Sequence, residues 1–186
     1  MTVGGSESLG KVVFTGFKHS GKSVIGSMVA EKLGFRFIDI DDFIEDEYES
    51  SGEGRLPVRE IYKKIGPAGF EKLESDALKR AALEKNAVIS LGGGSPLNPG
   101  FDKKLFGASV FVYLAVREDV LFERIIAKGI PPFLDAERPR ESMEELLEKR
   151  TPFYESISDI KIDNSDREPA AVAELILDEL RKTYAG

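Results

Sequence analysis

Apolar and polar positions along this chain fall into blocks that switch period, and the switches outline an α/β protein. Lys11-Val12-Val13-Phe14-Thr15 is a short, nearly continuous apolar run, the pattern of a strand buried on both faces of a parallel sheet. From Ser23 to Leu33 the apolar Val24, Ile25, Met28, Val29 and Leu33 recur at helical spacing, and Gly34 stops the helix. The same reading predicts strands at 11–16, 36–39, 87–91, 109–115 and 159–163. Helices are predicted at 21–33, 42–50, 59–65, 68–85, 117–128, 140–149 and 168–184. Such alternation is the signature of a parallel sheet with helices on both faces. Ligands of open sheets bind beyond the carboxyl ends of the strands, so the residues following each strand are the ones to search for chemistry. Phe111, Tyr113, Leu121 and Phe122 are read as core rather than as a cofactor box, and no internal repeat is visible.

Composition narrows the partners. A chain of 186 residues suits one domain, here 1–186, with residues 1–9 expected to be flexible. The net charge of −7, with scattered acids and no basic run, argues against nucleic acid or an anionic membrane surface and for a small-molecule partner. There is no cysteine, so disulfides and thiolate metal sites are excluded. No stretch approaches the ~18 apolar residues of a membrane span. The Gly/Ser-rich Met1 to Gly10 lacks the apolar core of a signal peptide, and a cytoplasmic, monomeric protein is the expectation.

The first strand leads into Gly16-Phe17-Lys18-His19-Ser20-Gly21-Lys22-Ser23, which fits G-x-x-x-x-G-K-[ST]. A glycine-rich turn between strand and helix aims several backbone N–H groups at one spot, where the helix N-terminus adds partial positive charge. Lys22 then reaches the β- and γ-phosphates of ATP or GTP, and Ser23 is placed to ligate a phosphate-bound Mg²⁺. Gly16, Lys18, Ser20, Gly21, Lys22, Ser23 and Val24 are the candidate nucleotide-binding residues here. His19 is read as exposed filler of a variable loop position rather than as a general base.

Three further segments lie at strand ends. Phe37-Ile38-Asp39-Ile40-Asp41-Asp42 closes the second strand, and alternation aims Asp39 and Asp41 to one side. Asp39 can hold Mg²⁺ and Asp41 can accept a hydrogen bond or proton from an acceptor hydroxyl; equally, Asp41 or Asp42 can cap the next helix. The third strand runs into Gly92-Gly93-Gly94, either a ligand-approaching backbone or a plain turn. Between 128 and 140 three prolines rule out one helix and predict a long loop of the kind that serves as an active-site lid. Its Arg138 and Arg140 either reach phosphates on closure or are solvated charges.

Together these segments resemble the shikimate kinases, which transfer the γ-phosphoryl of ATP to a hydroxyl of shikimate in aromatic amino acid biosynthesis. The resemblance covers about 10 to 182 and rests on Gly16 to Ser23, the D-x-D-x-x-I-E run from Asp39 to Glu45, and Ser90-Leu91-Gly92-Gly93-Gly94. It extends to the proline-containing lid and Lys149-Arg150-Thr151-Pro152-Phe153-Tyr154. It implies a single-domain P-loop kinase fold, a five-stranded parallel sheet of order 2-3-1-4-5 with a lid at 128–140 and an acceptor-binding subdomain at 42–85. It also implies that Lys22 and Ser23 hold phosphate and Mg²⁺, that Asp39 has a metal role, and that Asp41 engages the acceptor's hydroxyls. Gly92, Gly93 and Gly94 would line the acceptor site, Arg150 would pair with its carboxylate, and Arg124, Arg167 and Pro169 would lie at the adenine. Arg124 without that context reads as a surface charge on an amphipathic helix.

Two positions depart from the family pattern. Where F-R-x-x-E supplies a second arginine to the carboxylate, this chain has Phe70-Glu71-Lys72-Leu73-Glu74, and where the lid has R-P-L-L it has Pro131-Pro132-Phe133-Leu134. Lys72 or Arg138 would have to compensate, without the bidentate fork in the case of lysine. Three alternatives to shikimate phosphorylation stay open: a kinase of another polyol, hydroxy acid or amine-bearing acceptor; a nucleotide-binding protein without acceptor phosphorylation; and a nucleoside or nucleotide kinase.

Overall fold

The computed structural model describes residues 9–184. Five strands, β1 (Lys11–Thr15), β2 (Arg36–Asp39), β3 (Ala87–Ser90), β4 (Ser109–Ala115) and β5 (Ile160–Asp163), form one parallel sheet in the order β2-β3-β1-β4-β5. This is the order expected. The helices are α1 (Lys22–Leu33), α2 (Ile40–Tyr48), α3 (Val58–Leu83), α4 (Glu118–Lys128), α5 (Pro139–Ile157) and α6 (Pro169–Tyr184). The expectation of flexibility at 1–9 lies outside the described residues except at Leu9, which packs on the core. Among the described residues no helix is long and apolar enough to cross a membrane.

Strand alternation divides the interior. Val13, Ile89 and Phe111 point to a core shared with α2 and α3, whereas Val12, Phe14, Val88 and Val112 point to one shared with α1 and α6. A third cluster, with Phe17, Tyr113, Leu121, Leu134, Met143 and Tyr154, joins the first loop, β4, α4, α5 and the lid. Each central strand is therefore buried on both faces, which is why it reads as an unbroken apolar run.

Three element boundaries differ from the sequence reading. Helix α2 starts at Ile40 rather than 42, because the Asp39 side chain accepts from the backbone N–H of Asp41 and acts as the N-cap. Asp41 is thus in the first turn of a helix, and strand alternation is not what brings it beside Asp39. The predicted break between helices at 65 and 68 is a sharp kink within α3 at Gly66, with φ 72° and ψ 178°, followed by Pro67. Helix α5 passes through Pro152 to Ile157 instead of ending at 149. The cost of the proline is offset by packing: Tyr154 is fully buried, its ring 5.3 Å from that of Tyr113 and its hydroxyl donating to the Gly93 carbonyl.

Candidate active site

Register sets the floor of the site. Asp39 pairs with Ser90, and Ser90 pairs with Phe14, so β2, β3 and β1 end level and release their following segments side by side. The loop after β1, the start of α2 and the triple glycine after β3 are brought together by that alignment.

Gly16 and Gly21 adopt φ of 140° and 99°, values an L side chain resists, so the phosphate-type loop needs glycine at both places. Lys22, the first residue of α1, turns back inside the loop and donates to the carbonyls of Gly16 at 2.9 Å and Phe17 at 2.8 Å. Burial pushes its ammonium down to about 8, against the pull of Asp39 and Asp41. Ser23 is exposed and donates to Asp39 Oδ2 at 2.6 Å. Within the loop Lys18 is exposed and Ser20 is buried, and Val24, just past it in α1, is half open.

Asp41 is half-buried, and burial, reinforced by neighbouring Asp39, raises its carboxyl to about 6 despite Lys18 and Lys22. It therefore sits at a pKa suited to exchanging a proton near neutrality. At Gly93 an added Cβ would lie 3.2 Å from the Lys18 backbone nitrogen and 3.5 Å from an Arg150 terminal nitrogen. At Gly94 it would lie 3.9 Å from the other terminal nitrogen, so the glycine strip runs between the loop and the guanidinium. Gly92 leaves room for Ser95, whose Oγ a Cβ would meet at 2.8 Å.

Behind this strip is a carboxylate whose setting sequence reading missed. Glu74 Oε1 accepts from Ser95 Oγ at 2.7 Å, and its Oε2 accepts from Asn98 Nδ2 at 2.9 Å. Asn98 Nδ2 also donates to the Glu71 carbonyl at 2.9 Å, stitching α3 to the turn after the glycines. The sequence places Glu74 in the expected F-R-x-x-E frame, but nothing local points to Ser95 and Asn98 as its partners. The Glu71 side chain is exposed and forms no ion pair among the described residues.

On the other side of the loop, His19, Val24, Arg124, Asn164 and Pro169 line a pocket. Arg124 donates to the carbonyls of Asn164 at 2.8 Å and Ser165 at 3.2 Å, which makes it a tethered wall of the pocket rather than a free surface charge. Arg167 is exposed and is not among the lining residues. His19 departs from its reading as exposed filler: it is half-buried with φ 66°. Burial and the cations Lys18, Lys22 and Lys128 hold its imidazole below the usual value. Asn164, which sequence reading also missed, donates from Nδ2 to the Ser20 carbonyl at 2.7 Å.

The segment between Lys128 and Pro139, expected to serve as a lid, forms no helix or strand, as the prolines predict. Neither of its arginines touches the phosphate loop. Arg138 is exposed and pairs with Asp135, and Arg140 lies over the Phe122 ring at 4.2 Å and pairs with Glu144. Pro131, at the position of the family's lid arginine, is buried.

A phosphate-binding loop on a 2-3-1-4-5 parallel sheet, with a carboxylate acting on its lysine, defines an ATP-dependent kinase that phosphorylates an alcohol group. The shikimate kinase family model matches residues 18–181. A shikimate kinase of Thermodesulfovibrio yellowstonii is 37% identical over 94% of this chain and 97% of its own. One from Caldanaerobacter subterraneus subsp. tengcongensis is 39% identical over 89% and 93%. The structure of the Acinetobacter baumannii shikimate kinase in complex with shikimate superposes with a TM-score of 0.83 at 25% identity, covering 95% of this chain and 96% of that one. This chain belongs to the shikimate kinase family.

Proposed function

We propose that the protein transfers the γ-phosphoryl group of ATP to a hydroxyl of shikimate. The observation that carries this reading is the half-buried Asp41 carboxylate in the first turn of α2, under the charges of Lys18 and Lys22, where the level ends of β2, β3 and β1 bring the Lys22 loop together with a glycine strip that faces Arg150. The acceptor hydroxyl attacks the γ-phosphorus as the bond to the β,γ-bridging oxygen breaks, the hydroxyl proton passes to Asp41, and ADP leaves. Lys22 and the loop amides stabilise charge on the phosphoryl oxygens in flight. Arg150 pairs with the acceptor's carboxylate through its two terminal nitrogens. The pocket of Val24, Arg124 and Pro169 takes the adenine.

Ser23 and Asp39 fit Mg²⁺: they offer hard oxygen donors 2.6 Å apart, one hydroxyl and one carboxylate, the short protein set typical of a cation that also takes phosphate and water. When bound, Mg²⁺ neutralises phosphate charge.

Glu71 and Pro131 depart from the arginines that the resemblance implies, and a less anionic acceptor is the reading those positions favour as second choice. ADP production from Mg-ATP, with and without shikimate and with a panel of polyols, hydroxy acids and amino alcohols, decides between them. Strong stimulation by shikimate is expected; stimulation by another compound and none by shikimate would overturn the assignment of the acceptor.

A further inference from the structure

Arg150 is half-buried and pairs with no carboxylate among the described residues. It is flanked instead by two aromatic rings. Its guanidinium carbon lies 5.4 Å from the centroid of Phe17, in the phosphate loop, and 5.6 Å from that of Phe133, in the lid. The two rings meet edge to face, 6.2 Å apart at 73°. Phe17 is buried in the third core, whereas Phe133 is 41% exposed at the centre of the lid segment.

We propose that Phe133 is a positioning residue for the acceptor: the aromatic corner it forms with Phe17 clamps the Arg150 guanidinium against the Gly93-Gly94 strip and fixes its terminal nitrogens there. The inference rests on the acceptor reading above and deepens it. A guanidinium over aromatic faces keeps its in-plane N–H groups free for an oxyanion, while its face is held by attraction to the ring electrons. A carboxylate partner would have satisfied those same N–H groups and closed the site. The clamp also ties lid to floor. When the lid is down, Phe133 completes the enclosure of Arg150, so the arginine is ordered in the state that carries the acceptor. This gives the lid a hold on the acceptor without an arginine of its own at Pro131.

Two measurements test it. In steady-state kinetics, Phe133→Leu keeps apolar volume and removes the ring electrons. It is expected to raise KM for shikimate about three- to tenfold, with kcat and KM for ATP little changed, and Phe133→Trp is expected to restore the wild-type value. A wild-type KM for shikimate in Phe133→Leu, or an equal rise in both KM values, would overturn the proposal, because packing or general lid closure would then suffice. The second measurement needs no turnover. The chain has no tryptophan, so Phe133→Trp installs its only indole. In that background Arg150→Gln is expected to shift the indole emission without any substrate present; identical emission would show there is no clamp. If the wild-type protein fails to use shikimate, the acceptor reading falls, and the emission comparison decides the clamp by itself.

Discussion

Lys22 occupies the loop as a buried ammonium held by two carbonyls, and its depressed pKa of about 8 is the mark of a cation waiting for an anion. Phosphates would restore its proton. Binding of ATP at pH 8 should therefore take up about half a proton, measurable as a dependence of calorimetric enthalpy on buffer ionisation heat, and Lys22→Ala should abolish the uptake. The same variant should lose about 10²- to 10³-fold in turnover, since it removes a contact made in the transition state. Asp41 works in the opposite sense. Its carboxyl binds a proton more tightly folded than unfolded, so its contribution to stability is full at low pH and is lost as pH rises from about 4 through about 6. Activity, which needs the carboxylate, should rise over the upper part of that window. Asp41→Asn should thus stabilise the fold at pH 7 by on the order of 2 kcal/mol, read by denaturant titration, while turnover collapses. Glu71 is exposed and forms no ion pair among the described residues, and opposite unit charges ~4 Å apart attract by about 4 kcal/mol at an effective dielectric near 20. Glu71→Arg should lower KM for a carboxylate-bearing acceptor severalfold; a rise would place the native glutamate in a useful role.

Elements end where single residues dictate, and this decided which boundaries could be read. Gly34 stops α1 in the left-handed region, with φ 67° and its N–H bonded to Ala30 and Glu31 carbonyls, a stop written in the sequence. The Gly66-Pro67 break in α3 was legible for the same reason. Gly66→Ala meets open space but not a permitted backbone, so it should cost about 1–3 kcal/mol and lower the melting temperature by several degrees. The end of α5 was not legible. Pro152 is a sound local stop signal, and what overrides it is Tyr154 packing on Tyr113 and Gly93, residues far away in the chain. The start of α2 was blurred by three nearby aspartates, of which only geometry selects Asp39 as the cap.

At the scale of the molecule, the strand count and layering followed from periodicity, while the strand order came from the family resemblance and not from any physical feature of the chain. The phosphate loop, Asp39, Asp41 and the glycines were legible because each lies within a few residues of a strand end. Partnerships across the fold were not: Glu74 with Ser95 and Asn98, Phe133 with Arg150, and Asn164 with Ser20 join different elements, and no local pattern in the sequence marks them. The last of these sets an order of events in synthesis. The amide that holds the loop's Ser20 carbonyl is made 144 residues after Ser20, and the carbonyls that hold Arg124 are made 40 and 41 residues after Arg124. A nascent chain that ends before β5 carries the whole glycine-rich motif without its brace, and it should bind nucleotide poorly until Asn164 has been added.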